Sequence, residues 1–248
     1  MNPKFFCDTK DLFKYDLITS VMKKFRGRFD RIIIVPMLTK YDPNFKGNPG
    51  CRNTDLIACF RRLRQMEEVD RYYDELKSYL KELKSDIGKN KIRVRVEKEK
   101  IFSNNTRNEY FQAIWDNYPK SSLIFVDPDN GITNRRPTEK HLSFPELKKF
   151  FDLLDDESIL MVYQHYQRRR LKGTDAPQKK FEDVLNLTGM APLIIADNTV
   201  MFIFLTKNLE IRADLEEILR NYARVEQVAA WRKNMDRQIR VLAPEQPA

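Results

Sequence analysis

A polar segment that follows a strongly apolar run is the first place where this sequence could carry chemistry. Residues 123–126, Leu-Ile-Phe-Val, lack polar alternation, which is typical of a strand covered on both faces in a parallel sheet. The next five residues all favour a turn, namely Asp127, Pro128, Asp129, Asn130 and Gly131. Because ligands of open α/β sheets bind just outside the carboxyl ends of the strands, these polar groups are candidates for catalysis. A turn in which Asp127 caps backbone amides explains the same residues without function, and both interpretations stay open.

A second apolar run, residues 158–163, also ends in polar side chains. The residues after it that suit contacts with phosphates or bases are Gln164, His165, Arg168, Arg169, Arg170 and Lys172. Arginine beside an aromatic residue such as Tyr166 can bind phosphate and stack on bases. We expect the two strand ends to lie side by side, so that this basic segment shares one edge of the sheet with Asp127. Since His141 is the other of only two histidines, we predict no histidine metal site.

The charge balance points to an anionic partner. The 248 residues carry a formal net charge of +9, and the pI is about 9.3. Because Lys and Arg neutralise phosphates and release counterions, nucleic acid is the expected partner, with DNA and RNA equally compatible. A basic surface that only maintains solubility is the alternative interpretation.

Cysteine usage and the length of the apolar runs bear on the compartment. Cys7, Cys51 and Cys59 are too few and too scattered for a disulfide framework or a zinc site with paired spacing. The longest apolar stretches, residues 32–35 and 200–205, are strand-sized and too short to span a bilayer. No signal-peptide pattern follows Met1, so we expect a cytoplasmic protein with no membrane partner.

Two helix starts carry clear local signals. Asp8 or Thr9 can cap a first helix that runs to about Lys24. Ser143 and Glu146 have the spacing of a capping box, which predicts that a helix begins there.

Strand and helix patterns alternate along the chain without an internal repeat, and residues 192–206 predict a hairpin. This order predicts an α/β fold with a doubly wound, mostly parallel sheet and a C-terminal antiparallel hairpin. We expect a single domain over residues 1–242, with a helical segment at 54–86 and a disordered tail at 243–248.

The predicted sheet and the turn after residue 126 together resemble the S-adenosylmethionine-dependent methyltransferase superfamily, which has a Rossmann-like fold. In that family the fourth strand ends in Asp/Asn-Pro-Pro-Tyr/Phe, and this sequence is similar at Asp127 and Pro128. The opening segment, residues 5–22, also resembles the Asp-x-x-Lys type of helix start in large-subunit rRNA adenine-N6 methyltransferases and in three-Cys-motif partner proteins.

The resemblance implies methyl transfer to a base amine of nucleic acid. Asp127 would hold the amine and Asn130 would assist, with the base extruded from its stack. Pro128 and Asp129 complete the expected catalytic segment. S-adenosylmethionine would be the cofactor, and the residues expected to contact it are Asp8, Lys10, Asp11, Lys14 and Tyr15. A helix cap with a surface ladder of Lys and Asp explains those residues without a cofactor.

The sequence departs from this family where the cofactor would bind. A methyltransferase of this class follows its first strand with a glycine-rich turn, which lets the backbone approach the cofactor. Here residues 36–39 are Pro-Met-Leu-Thr, and Gly47 and Gly50 lie too far along to form that turn. Asp129 also replaces the second proline of the family motif.

Two other functions fit the same residues. Asp127 and Asp129 could hold Mg²⁺, which prefers carboxylate oxygens, and so support phosphodiester cleavage by a nuclease. A catalytically degenerate protein of the same fold would instead bind nucleic acid through its basic edge without turnover.

Overall fold

Helices and strands alternate along the chain in the computed structural model, which describes residues 9–25, 28–29, 31–37, 74, 77–78, 93–96, 102–165, 175–197, 199–224 and 239–244. The helices are α1 (Thr9–Lys24), α2 (Arg107–Asp116), α3 (Phe144–Leu153), α4 (Ala176–Thr188) and α5 (Leu209–Arg224). The strands are β1 (Arg31–Val35), β2 (Arg93–Val96), β3 (Ser122–Val126), β4 (Gly131–Thr133), β5 (His141–Ser143), β6 (Ile159–His165), β7 (Leu193–Ala196), β8 (Val200–Leu205) and β9 (Arg240–Leu242). None of these helices is both long enough and apolar enough to cross a membrane.

The strands form a seven-stranded sheet in the order β2-β1-β3-β6-β8-β7-β9, with β4 and β5 as a separate pair. The first four strands of this order are mutually parallel. Strand β8 is antiparallel to both β6 and β7, and β9 is antiparallel to β7. The prediction of a mostly parallel sheet with a C-terminal antiparallel hairpin is therefore confirmed. Strand β9 was not predicted, because three residues are too few to show a strand period.

Alternate residues of the central strands pack against opposite layers of helices. Ile32 of β1 lies in the core cluster that contains Tyr15 of α1, whereas Ile33 lies in the cluster that contains Phe111 of α2. Helices α1 and α5 cover the first face, and α2, α3 and α4 cover the second. Burial on both faces is the reason that these strands are apolar throughout.

The local signals for helix ends act as expected. Ser143 and Glu146 each accept a hydrogen bond from the backbone amide of the other residue, which confirms the predicted capping box at the start of α3. The Asp175 side chain caps α4 by accepting from the amide of Gln178, and Gly189 ends that helix with a φ of 71°. The predicted first helix is confirmed as α1. Of the predicted helical segment 54–86, residues 74, 77 and 78 are helical, and the rest lies outside the described residues.

The chain changes its direction of travel across the sheet at β1 and β3. Strand β1 lies between β2 and β3 in the sheet. The chain therefore passes from β1 to β2 on one side of β1 and then crosses to β3 on its other side. Val35 lies opposite Val126, and Val126 lies opposite Val162, so the carboxyl ends of β1, β3 and β6 are adjacent. The predicted side-by-side arrangement of the ends of β3 and β6 is confirmed. A change of direction of this kind opens a crevice at which α/β proteins bind ligands.

Candidate functional site

Asp127 follows the last residue of β3 and directs its side chain toward α1. Its amide donates to the carbonyl oxygen of Val35 at 2.9 Å, which extends the pairing of β1 with β3 by one residue. The residue is only 1% exposed, and its Oδ2 accepts a hydrogen bond from Lys14 Nζ at 2.9 Å. Its Oδ1 is also buried and accepts no hydrogen bond from any residue that the structure describes. A buried oxygen of this kind at a ligand-binding edge is a candidate partner for a donor on a bound molecule.

Lys14 ties α1 to this edge of the sheet. Its Nζ lies 3.0 Å from Asp11 Oδ1, 2.9 Å from Asp127 Oδ2 and 4.3 Å from the centre of the Tyr163 ring. Burial by itself lowers the pKa of Lys14, but the Asp11 and Asp127 carboxylates outweigh burial and raise it well above the usual 10.5. Lys14 is therefore charged at neutral pH, and it is buried between two carboxylates and an aromatic face.

Gln164, near the end of β6, holds the turn that follows β3. Its Oε1 accepts from the amide of Ile132 at 2.7 Å, and its Nε2 donates to the carbonyl oxygens of Asn130 and His165 at 3.0 and 2.8 Å. Gly131 packs against this amide with a φ of 97°, and a Cβ atom there would collide with the Gln164 side chain. The close approach and the positive φ both require glycine at this position.

Beyond the turn, residues 131–143 form what we call the β4–β5 arm, and Arg107 of α2 fixes it. The Arg107 guanidinium binds both carboxylate oxygens of Glu146 in α3. It also donates to the carbonyl oxygens of Thr138 at 3.1 Å and His141 at 2.6 Å. Arg107 therefore links α2, α3 and the arm, while Gln164 holds the arm from the side of β6.

His141, the first residue of β5, belongs to this fixed arm. Its Nδ1 lies 2.8 Å from Thr138 Oγ1. Burial, and next the Arg107 guanidinium, lower the pKa of His141 below its usual 6.5. The ring is therefore neutral at neutral pH and contributes no charge to this edge.

The structure brings several predicted site residues together around Asp127. Asp11 and Lys14 contact each other, and Lys14 contacts Asp127. Tyr15 is fully buried, with its ring edge-on to Phe125 at 6.5 Å. Lys10, also on α1, is half-buried.

The remaining predicted residues divide between the turn and the part of the chain outside the described residues. Pro128 is buried, Asp129 lies 4.0 Å from Lys140, and Asn130 is held through its backbone by Gln164. His165 is half-buried at the end of β6. Outside the described residues lie Asp8, Arg168, Arg169, Arg170 and Lys172.

Other residues of this edge were not singled out from the sequence. From the sequence, Tyr163 is indistinguishable from the other core residues of its apolar strand. Only the tertiary structure shows that its ring lies beside Lys14. Arg135 and Arg136 are visible in the sequence as a basic pair. Their place at this edge was missed because β4 and β5, at three residues each, are too short for periodicity to reveal.

Comparison with known proteins gives no family for this chain, since no family model and no curated protein matches it. Within the described ranges, no group of three or more His, Cys, Asp or Glu side chains is placed to hold a metal ion. The carboxyl edge of the sheet at Asp127 and the arm next to it are therefore the features from which function is inferred.

Proposed function

We propose that this protein acts on nucleic acid at the carboxyl edge of its sheet, as a methyltransferase-like protein whose target is a base amine. The observation that carries the proposal is the buried Asp127 carboxylate at the adjacent carboxyl ends of β1 and β3. Lys14 holds one of its oxygens, and no described residue donates to the other. An amine N–H is a suitable donor for that second oxygen, and a fixed acceptor would orient the amine for attack.

The architecture supports the same proposal. Four parallel strands, a reversed strand β8 and helices on both faces are compatible with a methyltransferase-like fold. Asp127 and Pro128 directly follow a central strand that neighbours β1, at the change of direction of the chain. This is where a substrate amine would meet a cofactor held beside β1.

S-adenosylmethionine would supply the methyl group. Three of the α1 residues expected to contact it are paired with each other or buried in the described geometry. Asp11 and Lys14 are bound to each other, and Tyr15 is fully buried in the core. Asp127 is therefore assigned amine binding alone, and no residue of α1 is assigned to the cofactor.

A catalytically degenerate nucleic-acid-binding protein is the second candidate, and the ammonium of Lys14 favours it. That group already provides Asp127 with an amine partner at 2.9 Å, so the carboxylate could serve only to anchor α1. A Mg²⁺-dependent nuclease receives less support from the geometry, because Asp127 and Asp129 contact different lysines, Lys14 and Lys140. A shared ion would need their carboxylates to converge.

The test combines calorimetric titration and a transfer assay. The purified protein is titrated with S-adenosylmethionine and, separately, with Mg²⁺, and methyl incorporation into total RNA and DNA is followed with labelled cofactor. The variant Asp127→Asn removes the carboxylate charge while Lys14 keeps Asp11. Asp156→Asn, at an exposed position before β6, is the matched control. Circular dichroism confirms that both variants fold.

Cofactor binding, with methyl transfer that Asp127→Asn abolishes and Asp156→Asn preserves, is the expected result. Nucleic-acid binding without any response to S-adenosylmethionine or Mg²⁺ supports the degenerate binder. Mg²⁺-dependent cleavage of nucleic acid supports the nuclease. A parent protein that binds neither cofactor nor nucleic acid contradicts the proposal.

A further inference from the structure

We propose that the turn of the β4–β5 arm, residues 134–140, is a second phosphate-binding surface, with Arg135 and Arg136 as its contacts. The inference rests on the proposed nucleic-acid partner and adds a binding element that the basic segment 168–172 does not include. Three observations support it, namely the unneutralised charge of the arginine pair, the fixed backbone of the turn and its position beside Asp127.

The first observation is the state of the two arginines. Arg135 and Arg136 are both exposed, and neither guanidinium forms an ion pair or hydrogen bond with a described residue. Four other arginines of the described chain are paired with carboxylates, as Arg28 is with Glu210. An arginine fork without an internal carboxylate is suited to a phosphate, which it can bind through two parallel hydrogen bonds.

The second observation is that the backbone of the turn is already ordered. The amide of Arg135 donates to Thr133 Oγ1 at 3.2 Å, and the amide of Lys140 donates to Thr138 Oγ1 at 3.3 Å. The amide of Asn130 donates to the carbonyl oxygen of Lys140 at 2.8 Å, which closes the base of the arm. Binding would therefore cost little backbone entropy, since only the arginine side chains become ordered.

The third observation is location. Gln164 ties the start of the arm to β6, so the arm lies at the carboxyl edge, where Asp127 is placed. In the sequence, the basic segment 168–172 begins three positions after the last residue of β6. Phosphate contacts fix the register of a nucleic acid without reading its sequence. Contacts from the arm would thus position a strand while its base reaches Asp127.

The test measures binding of the full-length protein to a labelled duplex DNA and a labelled single-stranded RNA by fluorescence anisotropy, over a range of salt concentrations. The test variant is Arg135→Ala with Arg136→Ala. The control variant is Lys24→Ala with Lys120→Ala, which removes the same charge from two exposed positions at the opposite, amino edge. Both variants should keep the circular dichroism spectrum and thermal midpoint of the parent.

The arginine variant is expected to flatten the slope of log affinity against log salt by about 1.8 for duplex DNA, roughly 0.9 for each lost contact. Its affinity at about 0.1 M salt should fall roughly 10- to 100-fold, whereas the control should keep the slope of the parent. Equal slopes and affinities for parent and arginine variant overturn the arm proposal and leave the proposed function in place. A parent that binds neither probe overturns the nucleic-acid partner itself, and the arm proposal with it.

Discussion

Replacing Lys14 by methionine removes the ammonium group that neutralises Asp11 and Asp127. The Lys14 side chain is 5% exposed, and the two carboxylates are 2% and 1% exposed, so water cannot compensate for the lost charge. Removing one partner of a buried ion pair costs about 3–5 kcal/mol, because the charge left behind stays desolvated. We expect Lys14→Met to lower the free energy of unfolding by about this amount.

Urea denaturation followed by circular dichroism measures this loss. Lys148→Met is the matched control, since Lys148 pairs with Asp152 one helical turn away, with side chains 40% and 49% exposed. An exposed pair of this kind contributes at most about 1 kcal/mol. If Lys14→Met destroys folding altogether, Asp127→Asn gives a measurable alternative. It leaves Lys14 paired with Asp11 and should cost about 1–3 kcal/mol.

The pH dependence provides an independent check. Because folding raises the pKa of Lys14 above its usual 10.5, the stabilisation by Lys14 is complete below about that pH. It is lost as the pH rises from there through the pKa in the folded state. The stability difference between parent and Lys14→Met should therefore stay constant from neutral pH upward and shrink above pH 10.5. A loss no larger than that of Lys148→Met, or a difference that does not change at alkaline pH, would refute this account of Lys14.

Three further predictions concern the arm and the basic edge. Gly131→Ala should cost at least about 1 kcal/mol more than Gly189→Ala in urea denaturation, because both have positive φ but only Gly131 is crowded; equal losses would contradict the crowding. A double-mutant cycle of Arg107→Gln and Glu146→Gln should give a coupling energy of about 1.5–3 kcal/mol, and additive losses would contradict a direct pair. Replacing the three arginines at 168–170 by alanine should weaken binding to DNA and RNA alike and flatten the salt dependence by roughly one unit per lost contact. An unchanged salt slope would make this segment an ordinary solvated surface.

Local signals were enough to predict much of the fold. Unbroken apolar runs gave strands β3 and β6, because burial on both faces leaves no polar position in such strands. The capping box of Ser143 and Glu146 located the start of α3 within one residue. The hairpin of β7 and β8 was also predicted, and the Asp197 side chain organises its turn by accepting from the amides of Thr199 and Val200. In each case the residues that set the structure are neighbours in the sequence.

The short elements could not be predicted in this way. Strands β4, β5 and β9 have three residues each, and their pairing depends on partners elsewhere in the fold. Strand β9 forms because β7 presents an open edge to it. The β4–β5 arm is fixed by Arg107, which reaches Glu146 across 39 positions of sequence. Such contacts leave no periodic pattern in the chain.

The sequence by itself determined that acidic and polar groups follow two buried strands, and that the chain is basic enough to attract an anion. Only the tertiary structure decided how the groups are partnered. The contact between Lys14 and Asp127 joins residues 113 positions apart, and the alternation of side chains along β3 turns Asp127 toward α1. The same folding directs the Gln164 side chain to the turn that follows β3. The apolar or polar character of a position reflects how buried that position is within its own strand or helix. An ion pair instead requires two separate elements to pack together, and that packing depends on the fold of the whole chain.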